Sequence, residues 1–96
     1  EESPPGKPAE AFGLEAPYPN PTASSVTVPL VLPEAAEARV VVYDVLGRTV
    51  AVLAEGLRSA GNYNLTVATD DLVPGLYFVR AVSGSSTVVY TFTVAR

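Results

Sequence analysis

The side chains that could do chemistry in this chain are almost all oxygen donors. There is no histidine and no cysteine, which removes the commonest general base and the strongest thiol nucleophile. Disulfides and thiolate metal sites go with them. The clustered serines fall at Ser24-Ser25, Ser83 and Ser85-Ser86, between apolar runs and with no base to activate them. Asp70 and Asp71 are adjacent. Acid–base catalysis needs two carboxylates converging on one substrate, whereas neighbours in a loop diverge, so turn formation is the expected job of both. Calcium can be held by oxygens alone, and Asn20, Asp44, Asp70 and Asp71 are the candidates, but no EF-hand-like spacing links them. Sugar binding favours flat, exposed aromatics. The chain has no Trp, and of its tyrosines only Tyr18 and Tyr43 fall outside the expected core. The expectation is a domain with no catalytic residue, no metal and no cofactor.

Charge and composition narrow the partners. Six Lys and Arg stand against ten Asp and Glu, for a net charge of −4. The cations (Lys7, Arg39, Arg48, Arg58, Arg80, Arg96) are scattered, whereas tracking phosphates or anionic lipid needs them clustered. Neither nucleic acid nor membrane is an expected partner, and no apolar run reaches the roughly 18 residues of a spanning helix. Hydrophobic residues make up 48% of 96, enough for one modest core and too little chain for two domains. The chain starts at Glu1 with no signal-peptide pattern, which reads as a piece of a longer precursor whose targeting segment lies elsewhere.

The elements that must position these residues read as strands. Residues 1–11 hold Pro4, Pro5, Gly6 and Pro8 among charges, the composition of an extended linker to an upstream domain. Strand starts are expected near Phe12, Ser25, Ala38, Thr49, Asn62, Leu76 and Thr87, a spacing of roughly a dozen residues that all-β sandwiches produce. Pro17, Pro19 and Pro21 fix φ and remove donors, so the stretch around them is expected as a rigid extended loop through which no ladder runs. Val26, Val28, Leu30 and Leu32 share one face, and Pro29 on the other suggests an edge or a bulge. Ala38, Val40 and Val42 are expected inward, with Arg39, Val41 and Tyr43 outward. The continuous run Val50-Ala51-Val52-Leu53 has no clear face, so a bulge or two-sided burial is expected there, followed by a turn over Glu55 to Ala60.

Further on, Tyr63, Leu65 and Val67, then Tyr77, Val79 and Ala81, then Val88, Tyr90, Phe92 and Val94 are the inward sets. Val40 to Val50 organises the chain as strand, turn and strand, with Asp44 accepting backbone N–H groups and Gly47 free to take positive φ. Leu72-Val73-Pro74-Gly75-Leu76-Tyr77 resembles the approach to a tyrosine corner, and Tyr77 reads equally as corner or ordinary core aromatic.

Four segments, in this order and spacing, carry a family resemblance: Leu14-Glu15-Ala16-Pro17-Tyr18-Pro19-Asn20-Pro21, Val42-Tyr43-Asp44-Val45-Leu46-Gly47-Arg48-Thr49-Val50, Ser59-Ala60-Gly61-Asn62-Tyr63 and Leu72-Val73-Pro74-Gly75-Leu76-Tyr77-Phe78-Val79. Together they resemble the C-terminal sorting domains of the type IX (Por) secretion system. Thr22 stands where that family often has Phe, and Ala68-Thr69-Asp70 keeps only the acid of its Trp-Asp pair. The resemblance implies a seven-stranded antiparallel immunoglobulin/fibronectin-like β-sandwich over residues 12–96. It implies a non-catalytic sorting signal that directs an upstream cargo domain across the outer membrane to the cell surface or the medium. The implied partners are an outer-membrane translocon and a sortase-like peptidase that attaches cargo to lipopolysaccharide. The family's motif residues fall on Tyr43, Asp44, Gly47, Arg48, Pro74, Gly75 and Tyr77, and Arg48, the last strand and Arg96 are the ones expected to meet the machinery. A fibronectin-like spacer or a carbohydrate-binding module of a secreted glycoside hydrolase are the alternatives.

Overall fold

Alternating apolar and polar residues, each run closed by Gly, Pro or Asp, leave this chain one way to hide its apolar stripes: two sheets stacked face to face. The computed structural model describes residues 12–95. The linker expected over 1–11 and Arg96 lie outside the described residues. The strands are β1 (Gly13–Leu14), β2 (Ser25–Leu32), β3 (Ala36–Tyr43), β4 (Thr49–Arg58), β5 (Gly61–Ala68), β6 (Gly75–Ser83) and β7 (Ser86–Val94). All pairings are antiparallel. They form a three-stranded sheet ordered β1-β2-β5 and a four-stranded sheet ordered β4-β3-β6-β7. The expected all-β, seven-stranded sandwich is the observed one.

The core is built from the inward sets read from alternation. Val26, Val28 and Leu30 of one sheet and Val40, Val42, Val79 and Phe92 of the other are fully buried. Phe92 lies opposite Tyr77 on the neighbouring strand, their rings stacked at 5.7 Å. Tyr63, Leu65 and Val67 close the core from the edge strand β5. The Tyr77 hydroxyl donates to the Val73 carbonyl at 2.5 Å, so Tyr77 is both a tyrosine corner and a core aromatic. A second tie of the same form was not legible beforehand: the Tyr63 hydroxyl donates to Ser59 O at 2.7 Å, with the Arg58 guanidinium 5.1 Å above its ring.

The structure corrects four expectations. Val41 points outward yet is 1% exposed. It lies mid-sheet, opposite Val52 and Arg80 and between Arg39 and Tyr43, so longer neighbours stand over it. Glu55 to Arg58 continue β4 rather than turning, because Ala36 to Arg39 supply them with ladder partners. The turn shrinks to Ser59-Ala60, held by Tyr63. Pro29 is in the middle strand of its sheet, paired with Asn64. Its carbonyl accepts from Glu15 N–H at 3.0 Å, so its missing donor faces the place where β1 has ended, and the sheet loses nothing. The proline loop, finally, does bridge: Tyr18 exchanges two backbone hydrogen bonds with Thr27, and Thr22 makes a parallel bridge to Val94. The expected irregularity in Val50–Leu53 is present as register shifts between Val40 and Val41 and between Val42 and Tyr43.

One substitution tests the corner tie. Tyr77→Phe keeps the ring and strands the Val73 carbonyl, and is expected to lower unfolding free energy by about 1–2 kcal/mol. Urea denaturation with an unchanged m-value measures it.

Candidate functional site

The registers place the loops at two poles. Strands of 8–10 residues separate them by roughly 25–30 Å. The chain enters at one pole, where Gly13 pairs with Val31, and Leu32 with Gly61. At the other pole lie the proline loop before β2, the Asp44–Arg48 turn, the Thr69–Pro74 corner and the end of β7, since Gly75 pairs with Val94. Three of the four motif segments gather there, while Ser59–Tyr63 sits at the entry pole.

The turn is built by one carboxylate. Asp44 Oδ1 accepts the N–H groups of Leu46 and Arg48, both at 2.9 Å, and its Oδ2 accepts Arg48 Nε at 2.8 Å. The backbone closes around it, Asp44 N–H donating to Arg48 O and Gly47 N–H to Asp44 O. Gly47 takes φ +82°, a conformation that side-chain-bearing residues adopt rarely. The N–H of Arg48 holds the Asp44 carboxyl below its ordinary pKa of 3.8, the Arg48 guanidinium and Leu46 N–H add to this, and desolvation opposes them. Arg48 is exposed, as expected of a tip residue, but its guanidinium is engaged within its own turn.

The corner meets this turn. A cleft of about 370 Å³ is lined by Asp44, Val45, Leu46, Arg48 and Val50 from one side and by Asp71 through Tyr77 from the other. Of the motif residues, Asp44, Arg48, Pro74, Gly75 and Tyr77 therefore share one cleft. Gly47 shapes the turn without lining it. Tyr43 is half-buried on the outer sheet face opposite Thr49 and Phe78. Gly75 has φ +150° with open space where a Cβ would stand, so backbone conformation, rather than room, calls for glycine.

The proline loop also has a use that sequence reading missed. Asn20 Oδ1 accepts the N–H of Thr93 at 2.9 Å. Next to it, Thr22 N–H donates to Thr93 O and Ala95 N–H to Thr22 O. The loop thus covers the outer edge of β7 where that strand ends. Thr22 is buried at the position the family often fills with Phe, its hydroxyl donating to the Ser25 carbonyl. The calcium candidates do not converge: among the described residues no three acidic side chains share a metal-sized site.

Seven antiparallel strands in two stacked sheets, with the turn and corner residues tied into the backbone, define a β-sandwich of immunoglobulin/fibronectin type. The family model described as "Secretion system C-terminal sorting domain" matches residues 16–95, and the chain belongs to that family, the sorting domains of type IX secretion. No curated protein and no solved structure matches it. The domain is thus a secretion sorting signal, which makes its bearer a secreted protein and the type IX machinery its partner in general.

Two outcomes are expected. Asp44's lowered pKa contributes stability that is present above the ordinary aspartate range and lost as pH falls through the folded-state value. Thermal melts from pH 6 down to about pH 2 should show wild type losing more Tm than Asp44→Asn over the acid limb. Asn20→Ala should cost about 0.5–1.5 kcal/mol and raise amide exchange at Thr93 more than elsewhere in β7.

Proposed function

We propose that residues 12–96 are a folded tag, with 1–11 as the linker to an upstream cargo domain, and that the tag is read at the pole where the motifs gather. The tag takes the cargo across the outer membrane through the type IX translocon. A sortase-like peptidase then attaches the cargo to the cell surface or releases it. The observation that carries this reading is the family match over 16–95, and the same match favours it over a spacer or a carbohydrate-binding module. Geometry supports it in a second way. Cargo joined before Phe12 hangs from the entry pole, roughly 25–30 Å from the motif pole, so a large cargo leaves the motif pole clear.

The domain performs no reaction in this reading. Its contribution is shape: a rigid arrangement of turn, corner and strand end whose preorganisation limits the entropy lost on docking. Of the motif residues, Asp44, Gly47, Pro74, Gly75 and Tyr77 make the frame. Arg48, the end of β7 and Arg96 are the contacts. Arg48 must then act through the guanidinium nitrogens that Asp44 leaves free.

A reporter fused ahead of residues 1–96 in a type IX-competent host tests the reading. Wild-type fusion should reach the surface or medium, whereas a spacer would leave it in the periplasm. Arg48→Ala should reduce export several-fold while the melting temperature of the isolated domain changes little, as expected for an exposed ion pair. Export at wild-type level would remove Arg48 from the contact set.

A further inference from the structure

The turn from Asp44 to Gly47 needs the Asp44 carboxylate and the conformation of Gly47. From the residues between, it uses only the Leu46 N–H. The side chains at 45 and 46 are free of any folding duty, and in water polar residues would be the cheaper choice. They are Val45, 63% exposed, and Leu46, 72% exposed. Across the cleft stands Val73, 74% exposed, although its own part in the corner is played by its carbonyl. Leu76 adds a fourth exposed apolar side chain to the same lining. Three loop positions that the fold leaves open to any residue are thus apolar, and all face one concavity. Such departures from local economy concentrate where proteins bind.

Charge says what kind of partner fits. Asp44 and Arg48 neutralise each other. Asp71, also in the lining, makes no ion pair among the described residues, and Asp70 precedes it, exposed. The cleft is left apolar with a negative rim. Backbone pairing is closed off at this pole, because Asn20 and Thr22 already occupy the outer edge of β7 there, which leaves the end of β7 to make contact through its side chains.

We infer that the cleft between the Asp44–Arg48 turn and the Asp71–Leu76 corner accepts an apolar side chain flanked by Lys or Arg, presented on a partner's exposed segment. The inference rests on the proposal that this pole is the one read, and it supplies that partner's chemistry.

The test is an NMR titration of the 1–96 chain with two probe peptides, acetyl-Leu-Lys-Leu-Lys-amide and acetyl-Leu-Glu-Leu-Glu-amide. The basic peptide should shift the amides of Val45–Arg48 and Leu72–Leu76 and bind at least about threefold tighter than the acidic one, with the difference shrinking in salt. Asp71→Asn should erase the preference. Leu46→Ser should weaken both peptides, and Leu57→Ser, at the entry pole, should weaken neither. Equal binding of the two peptides, or shifts centred elsewhere, overturns the inference. The export reporter separates the two levels. Normal export of a Leu46→Ser, Asp71→Asn double variant overturns the cleft as the reading surface and leaves the sorting role standing. Failure of the unsubstituted fusion to export overturns both.

Discussion

Where a strand ends, its last N–H and C=O groups lose the neighbour that satisfied them. Water or a side chain must take over, and a side chain also fixes where the strand stops and how the chain turns. This chain meets the constraint with side-chain oxygens at four strand ends. Asp44 takes two N–H groups where β3 turns into β4, and Asn20 takes one where β7 stops. Tyr77 gives its proton to a carbonyl ahead of β6, and Tyr63 does the same between β4 and β5. The strands between them need only alternation.

Seen this way, the four segments act in this chain as a set of terminators. Each of the four segments contains one of those oxygens, and the glycines beside them take the backbone angles that other residues avoid. A motif of this kind can persist through wide variation in the strands, since apolar residues of similar size substitute for one another in a core. It also explains how Thr22 is accommodated where the family often has an aromatic. Thr22's hydroxyl and both its backbone groups are bonded, so a small polar residue serves as a buried bridge.

The strand faces were legible because a period of two needs only neighbouring residues. Ser25–Leu32 was read to the residue, and the inward sets of β3, β6 and β7 followed from alternation alone. What failed was long-range. The burial of Val41 depends on Arg80, 39 positions away, and on Val52. The length of β4 depends on where β3 begins, and the harmlessness of Pro29 depends on where β1 stops. The Asp44–Gly47 turn was readable since its contacts span at most four residues, whereas the Asn20–Thr93 bond spans 73. The cleft was least legible of all. Its two sides come from loops that share neither sequence nor strand, and only the β3–β6 pairing brings them together.

A consequence follows for how such a signal is decoded. If the motif residues make the frame, losing one disturbs the fold and the signal together, and a loss of export by itself does not identify a contact. The informative positions are those the frame does not use, because nothing in the folding of the turn or corner calls for what stands there. Val45, Leu46 and Val73 are such positions, and their apolar character is paid for in exposure to water. On the reading proposed above, a rigid frame that holds these apolar tips at one pole, away from cargo joined before Phe12, would let a single machinery accept many cargoes, because it would meet the tips at a geometry that the cargo does not perturb.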